Sequence, residues 1–304
     1  MPLYKLYYCI AAWLFNDEAT GGDAVDSSFT EINILQDTGA VQVARVVGGG
    51  PFADDCAEWA GSPSVCQLTK TEAAQVGLDL PYQQISIVLW VKHDGAWDVS
   101  GSYFEIFLCK ENVATPETWR LFHDGTTRKF TFRYVDTAVA SYQIESNGSH
   151  PADTWIHLCV TADLAAQELR MYVDNVEVTA SPVACGADFI ATNDVDFSVG
   201  NAADDDVTTR FNGQMDEIGI FNKVLTDVER RFIFEDGLSG GAFGLIHSRV
   251  DVIHVLGVPP DMLPVVTSRL ATGNQLEPAV DCADLINPRV GVADILLKEV
   301  SCEE

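Results

Sequence analysis

The feature that most constrains this chain is a rhythm of short apolar runs rich in β-branched and aromatic residues. They are Ile10–Phe15, Ile85–Lys92 (ISIVLWVK), Tyr103–Lys110 (YFEIFLCK), Trp119–His123, Phe130–Val135 (FTFRYV), Thr154–Ala162 (TWIHLCVTA), Glu168–Val173 (ELRMYV) and Asp196–Gly200, punctuated by Gly, Asp, Asn, Pro and Ser. Runs of this length between turn-forming clusters read as strands, and their even spacing predicts an antiparallel sandwich or jelly roll. Asp124-Gly125 and Asp174-Asn175 stand where tight hairpin turns are needed. The expected fold is all-β, a two-sheet antiparallel jelly-roll sandwich with one short helix and a Pro-rich C-terminal extension.

The helix is expected in LTDVERRFIFEDG. Thr226 precedes Glu229 by three residues, the spacing of a capping box, and Gly237 ends the run. Val228, Phe232 and Ile233 would form its inward stripe. Beyond it the texture changes: a Gly-rich connector is followed by short apolar runs broken by Pro259, Pro260, Pro264, Pro278 and Pro288, which exclude a long helix. The expected organisation is a sandwich over 1–237 and an extension over 238–304 that packs on the sandwich or on a neighbouring subunit.

Charge excludes one class of partner. The 45 acidic against 18 basic residues leave a formal charge of −27, which repels a phosphate backbone. Carboxylates in such number can instead hold a hard cation. No apolar run approaches the ~20 residues that span a bilayer. Leu6–Phe15 has the length of a signal-peptide core, but Asn16-Asp17-Glu18 follows it, so it reads as a first strand. The eight cysteines form no CxxC pair, which argues against zinc. Cys109 and Cys159 sit within apolar strands as small hydrophobes. Cys56 and Cys66 flank a turn and are the best disulfide candidates in an oxidising setting, with free thiols the expected state otherwise.

Three ordered segments carry a family resemblance. AAWLFNDEATGGDAVDSS (Ala11–Ser28) comes first; ISIVLWVK, with TWIHLCVTADLAAQELRMYVDN (Thr154–Asn175) after it, is the second; FSVGNAADDDVTTRFNGQMDEIGIFNKVLTDVE (Phe197–Glu229) is the third. Together they resemble the laminin-G-like branch of the concanavalin A-like lectin and glucanase superfamily, over roughly residues 9–237; EWAGSPSVCQL (Glu58–Leu68) extends the resemblance. Trp90, Trp155, Phe197 and Phe221 are expected between the sheets. The resemblance implies a calcium ion held by Asp26 and Asp216, with Asp17 or Asp23 as a further ligand and turn carbonyls completing the shell. The competing reading is that these acids cap turns. Asp204-Asp205-Asp206 could bind a weaker ion, although such a loop is ordinarily just solvated.

Catalysis is not expected. Retaining glucanases need two carboxylates on one face of a strand, about 5 Å apart, and no acidic-apolar-acidic-x-x-acidic strand is present. The six histidines form no HExxH pattern, and there is no Gly-x-Ser-x-Gly elbow. Trp97, among Gly, Asp and Ser, is expected to be exposed, and with Trp119 it is a candidate platform for a sugar or a protein contact. Two functions follow as expectations: an oligomeric structural or adhesive subunit of a virion or other surface assembly, or a calcium-dependent adhesin that binds surface glycans.

Overall fold

The computed structural model describes residues 8–16, 20–61, 66–95, 97, 104–111, 118–188, 190–192, 194–203 and 208–238. The chain divides into two units between Leu245 and Ile246, and the expected C-terminal extension from residue 239 onward, Asp17 and Asp204–Asp206 lie outside the described residues.

The sandwich has a nine-stranded and a seven-stranded sheet. The first runs β13 (Val176–Glu177), β12 (Glu168–Val173), β11 (Ile156–Asp163), β6 (Gln84–His93), β16 (Asn212–Phe221), β4 (Cys56–Ala60), β3 (Ala44–Val46), with β1 (Cys9–Trp13) beside β16 and β14 (Val183–Ala184) beside β12. The second runs β10 (Ser141–Glu145), β9 (Lys129–Val135), β8 (Trp119–Asp124), β7 (Phe104–Lys110), β15 (Phe197–Val199), β5 (Leu68–Lys70), β2 (Gln36–Asp37). Neighbouring strands pair antiparallel throughout, as hairpins in series require.

Side-chain alternation builds the layers. Ile85, Ile87, Leu89 and Val91 of β6 enter the space between the sheets, where Phe130, Phe132 and Tyr134 of β9 meet them. Each fully buried large apolar side chain stabilises the fold by about 1.5–3 kcal/mol. The alternate residues of β6 face the other way. Val88 joins Cys159, Tyr172, Phe221, Leu225 and Ile233 in a second cluster on the outer face of the nine-stranded sheet. Phe197 lies between the sheets as expected, whereas Phe221 belongs to this outer cluster. Trp90 also packs outside, stacked on Phe234 at 5.6 Å, and Trp155 is only half-buried.

Helix α1 (Asp227–Asp236) covers that outer cluster. Its capping box is present in both directions, with Thr226 accepting from the Glu229 amide and the Glu229 carboxylate accepting from the Thr226 amide at 2.9 Å. Ile233 is buried and Phe232 packs against the cluster, but Val228 is 63% exposed. The inward stripe is rotated from the expected one because Arg230 is drawn in, its guanidinium 3.6 Å from the centre of the Tyr172 ring.

The two-residue turn at Asp174-Asn175 has φ of 49° and 61°, the left-handed pair a tight hairpin demands. β16 carries the main irregularity. Its first half pairs with β4 and its second with β1, and between Asp216 and Gly219 its register with β6 shifts. Glu217 sits in this bulge with φ of 50°. The six described cysteines are buried, and Cys56 and Cys66 are free thiols. Burial pushes the Cys56 thiol up to about 12, which makes it inert.

Candidate functional site

Cross-strand register assembles a polar cleft on the outer face of the nine-stranded sheet. Glu58 of β4 lies opposite Gln214 of β16, and Gln214 lies opposite Lys92 of β6. Ile156 pairs with Val91, so Trp155, one residue earlier, stands beside Lys92. The cavity has a volume of about 130 Å³ and is lined by Glu58, Lys92, Asp94, Asp153, Gly213 and Gln214.

Each wall has a defined support. The Gln214 side-chain amide donates to Glu58 Oε1 at 3.0 Å, and Gln214 Oε1 is buried with no hydrogen-bond partner. Lys92 Nζ lies 5.2 Å from the centre of the Trp155 ring, a cation–π contact. The Trp155 indole donates to the Gly49 carbonyl at 3.0 Å, which fixes the plane of the ring. Asp153 Oδ1 accepts from the Gly95 amide at 3.0 Å, and Asp94 is tied to Asn212 through its backbone at 3.1 Å. Gly213 is required at the floor: its φ is +152°, and a Cβ there would lie 2.2 Å from the Lys92 carbonyl oxygen.

The two tryptophans expected to meet a ligand are not part of this cleft. Trp97 is 1% exposed. It folds back into the sandwich against His93 at 4.8 Å and Phe130 at 4.9 Å, and its indole donates to Pro151 O at 3.0 Å. Trp119 is wholly buried, packs 5.8 Å from Phe197 and donates to Leu78 O at 2.9 Å. Both are core residues, since burying the ring is favourable once the indole N–H finds an acceptor. Trp155 has the partly open, polar-tipped setting sought for them.

Asp26 and Asp216 have different surroundings. Asp26 is fully buried, and its carboxylate accepts the amides of Ala12 at 3.0 Å and of Ser28 and Asn33 at 2.9 Å. It ties the opening strand to the loop after it, as a turn cap does. Asp23 is exposed. Asp216 is also fully buried; its Oδ1 accepts the Glu217 amide at 2.8 Å. Its Oδ2 converges with Asp54 Oδ1 on Gly50, where a Cβ would lie 2.7 Å from the first and 2.3 Å from the second. Asp54 Oδ2 is held by the Asn16 side-chain amide at 3.4 Å. This oxygen-rich corner suits a hard cation in ligand type, although no group of three or more His, Cys, Asp or Glu able to hold a metal occurs among the described residues.

His157 is buried with neither ring nitrogen hydrogen-bonded. Burial, and after it the Arg230 charge, push it down to about 3. A group neutral throughout the physiological range and sealed beneath α1 is part of the packing.

Two antiparallel sheets packed face to face in this strand order define a concanavalin A-type jelly-roll sandwich. The chain belongs to the Concanavalin A-like lectin/glucanases superfamily, whose laminin-G-type profile it matches over residues 69–229. Comparison with curated protein sequences finds no match. Among solved structures, domain 4 of AbnA, a GH43 extracellular arabinanase from Geobacillus stearothermophilus, in complex with arabinotriose, is similar at a TM-score of 0.53 and 17% identity, covering 73% of this chain and 95% of that one. The receptor-binding domain of botulinum neurotoxin C/D mosaic serotype is similar at 0.54 and 11% identity, covering 75% of this chain and 51% of that one. Trypanosoma rangeli sialidase is similar at 0.51 and 15% identity, covering 76% and 33%. These likenesses show the fold. No helix among the described residues is long and apolar enough to cross a membrane.

Proposed function

We propose that this protein is a non-catalytic binding module that takes a neutral oligosaccharide in the cleft between Glu58 and Asp153. The observation that carries the reading is the juxtaposition of Trp155 and Lys92 with Glu58, Gln214, Asp94 and Asp153. Sugar recognition needs an apolar ring face for the C–H surface of a pyranose or furanose, and fixed polar groups for its hydroxyls. Trp155 supplies the first, and the carboxylates with the unpaired Gln214 Oε1 supply the second. Three carboxylates against one ammonium disfavour uronic or sialic acids. The arabinotriose bound to the similar arabinanase domain supports oligosaccharide as the ligand class. Calorimetric titration with arabinotriose, cellotriose and mannotriose tests it: binding by one of them that Trp155→Ala weakens at least tenfold supports the reading, and binding by none overturns it.

A calcium ion fits this reading as a structural element. Asp216 and Asp54 would hold it, and it would neutralise one buried and one half-buried carboxylate next to the loop from which Gly49 accepts the Trp155 indole. Asp26 is already committed to backbone amides.

A second reading, a subunit of a virion or other surface assembly, is favoured by a different observation. Phe29 is 65% exposed, and Val25, Ile32, Ile34 and Val41 are exposed in the same stretch of chain, more apolar surface than one segment ordinarily presents to water. Both functions are compatible in one adhesive protein.

A further inference from the structure

Behind the acidic wall of the cleft lies a buried polar cluster drawn from three strands. His93, at the end of β6, is 4% exposed; Glu105 of β7 is 6% exposed; His123 of β8 is fully buried. His93 Nε2 is 2.8 Å from Glu105 Oε1, and His123 Nδ1 is 3.3 Å from Glu105 Oε2, at ion-pair distance but outside hydrogen-bond alignment. The Trp97 ring packs over both imidazoles, at 4.8 and 5.0 Å.

The other nitrogen of His93 reaches toward the cleft. Nδ1 lies 3.3 Å from the Gly95 carbonyl oxygen, and the Gly95 amide is the group that holds the Asp153 carboxylate. A carboxylate and a carbonyl are both acceptors. One neutral imidazole carries a single N–H and can satisfy only one of them; the imidazolium satisfies both. Trp97 ties down the opposite side of the wall through Pro151.

We propose that His93, clamped by Glu105, is a positioning residue for the cleft: as an imidazolium it pins Gly95, and through Gly95 it fixes Asp153 and Asp94 where a ligand meets them. The inference rests on the cleft being the binding site. Loss of the His93 proton leaves a lone pair facing the Gly95 oxygen and releases that wall. Burial opposes the charge on His93, but the Glu105 hydrogen bond and charge outweigh it, so His93 holds its proton above the ordinary histidine range. Burial likewise opposes ionisation of Glu105, and the two histidines overcome it. The other titratable groups facing the cluster are Asp94, which favours the imidazolium, and His150, whose partner is the Ser146 hydroxyl at 3.0 Å. The remaining walls are Phe107, Phe130 and Phe211.

Two readouts on the full chain test this. The first is the Gly95 backbone amide resonance followed from pH 5.5 to 9; the second is affinity for the three trisaccharides over the same range. The expected result is one step in the Gly95 resonance above pH 6.5, matched by at least a fivefold fall in affinity. Glu105→Gln should move both steps to lower pH, and His93→Gln should abolish them. A Gly95 resonance that does not titrate, or that titrates alike in wild type and Glu105→Gln, overturns the proposal, and the Glu105 variant keeps the test open if His93→Gln fails to fold. A Gly95 step with no affinity for any trisaccharide at any pH overturns the cleft reading and with it the positioning role; pH-independent affinity overturns the positioning role alone.

Discussion

Lys92 of β6 holds its ammonium 5.2 Å from the centre of the ring of Trp155, the residue just before β11 and far from Lys92 in sequence. The contact keeps a lysine stem along an aromatic face at the mouth of a cleft whose other charges are carboxylates. Trp155 thus flanks the cleft and supports Lys92, the one cation among the residues that line it. Trp155→Phe keeps the ring face but loses the indole donor to Gly49. It should retain binding within about fivefold, because the contact area is largely preserved, whereas Trp155→Ala should lose at least tenfold. Calorimetry on the two variants, with melting curves to confirm folding, separates them.

Gly213→Ala should destabilise the protein by about 1–3 kcal/mol, since the added methyl meets Lys92 backbone in a conformation that favours glycine. Urea unfolding monitored by tryptophan fluorescence measures the loss.

Asp26→Ala should cost about 3 kcal/mol or more, because three buried amides lose their acceptor at once. Asp26→Asn keeps one carbonyl acceptor and should cost less. If the variants unfold at the wild-type urea midpoint, Asp26 does not hold the opening loop.

Stability should fall with acid in a window set by two histidines, His157 buried and His150 half-buried. Burial, with the nearby His123 charge second, pushes His150 down to about 4, and burial with Arg230 pushes His157 down to about 3. The unfolded chain takes up these protons near 6.5 while the folded one resists. His157, fully buried, therefore removes up to about 1.4 kcal/mol per pH unit as pH falls from 6.5 toward its folded value, and the partly exposed His150 removes less because solvent screens its charge. His93 acts in the opposite sense and in another window: its contribution is present below 6.5 and is lost as pH rises through its raised folded value. His157→Phe should flatten the acid limb of a plot of stability against pH between 6.5 and 3.

Calcium should raise the melting temperature of wild-type protein, and Asp54→Asn or Asp216→Asn should abolish the increase. Asp26→Asn should leave an increase in place. No change in melting temperature on adding calcium or chelator would remove the ion from the account.

The strands themselves were legible because short β-branched and aromatic runs between turn-forming residues mark them locally, and Ile85–Lys92 falls within β6. The capping box was legible for a similar reason, being local. What these local signals could not give was the identity of the second face. Trp90 and Phe221 lie outside the sheet pair because α1 supplies a further apolar layer there. Trp97 was misplaced because its neighbours in sequence are polar, while its neighbours in space are His93, His123 and Phe130 from three strands. The cleft was hidden in the same way. Glu58, Gln214 and Lys92 become neighbours only through register, and the one local signal was a lysine on the outward phase of β6.

The central claim, that the cleft binds a neutral oligosaccharide, is tested most directly by mapping amide resonances while arabinotriose, cellotriose or mannotriose is added. The account predicts saturable shifts concentrated at Lys92, Asp94, Trp155 and Gln214, absent in Trp155→Ala. Shifts confined to the exposed Phe29–Val41 stretch, or none at any concentration up to 10-fold above the roughly millimolar Kd of a weak site, would contradict it.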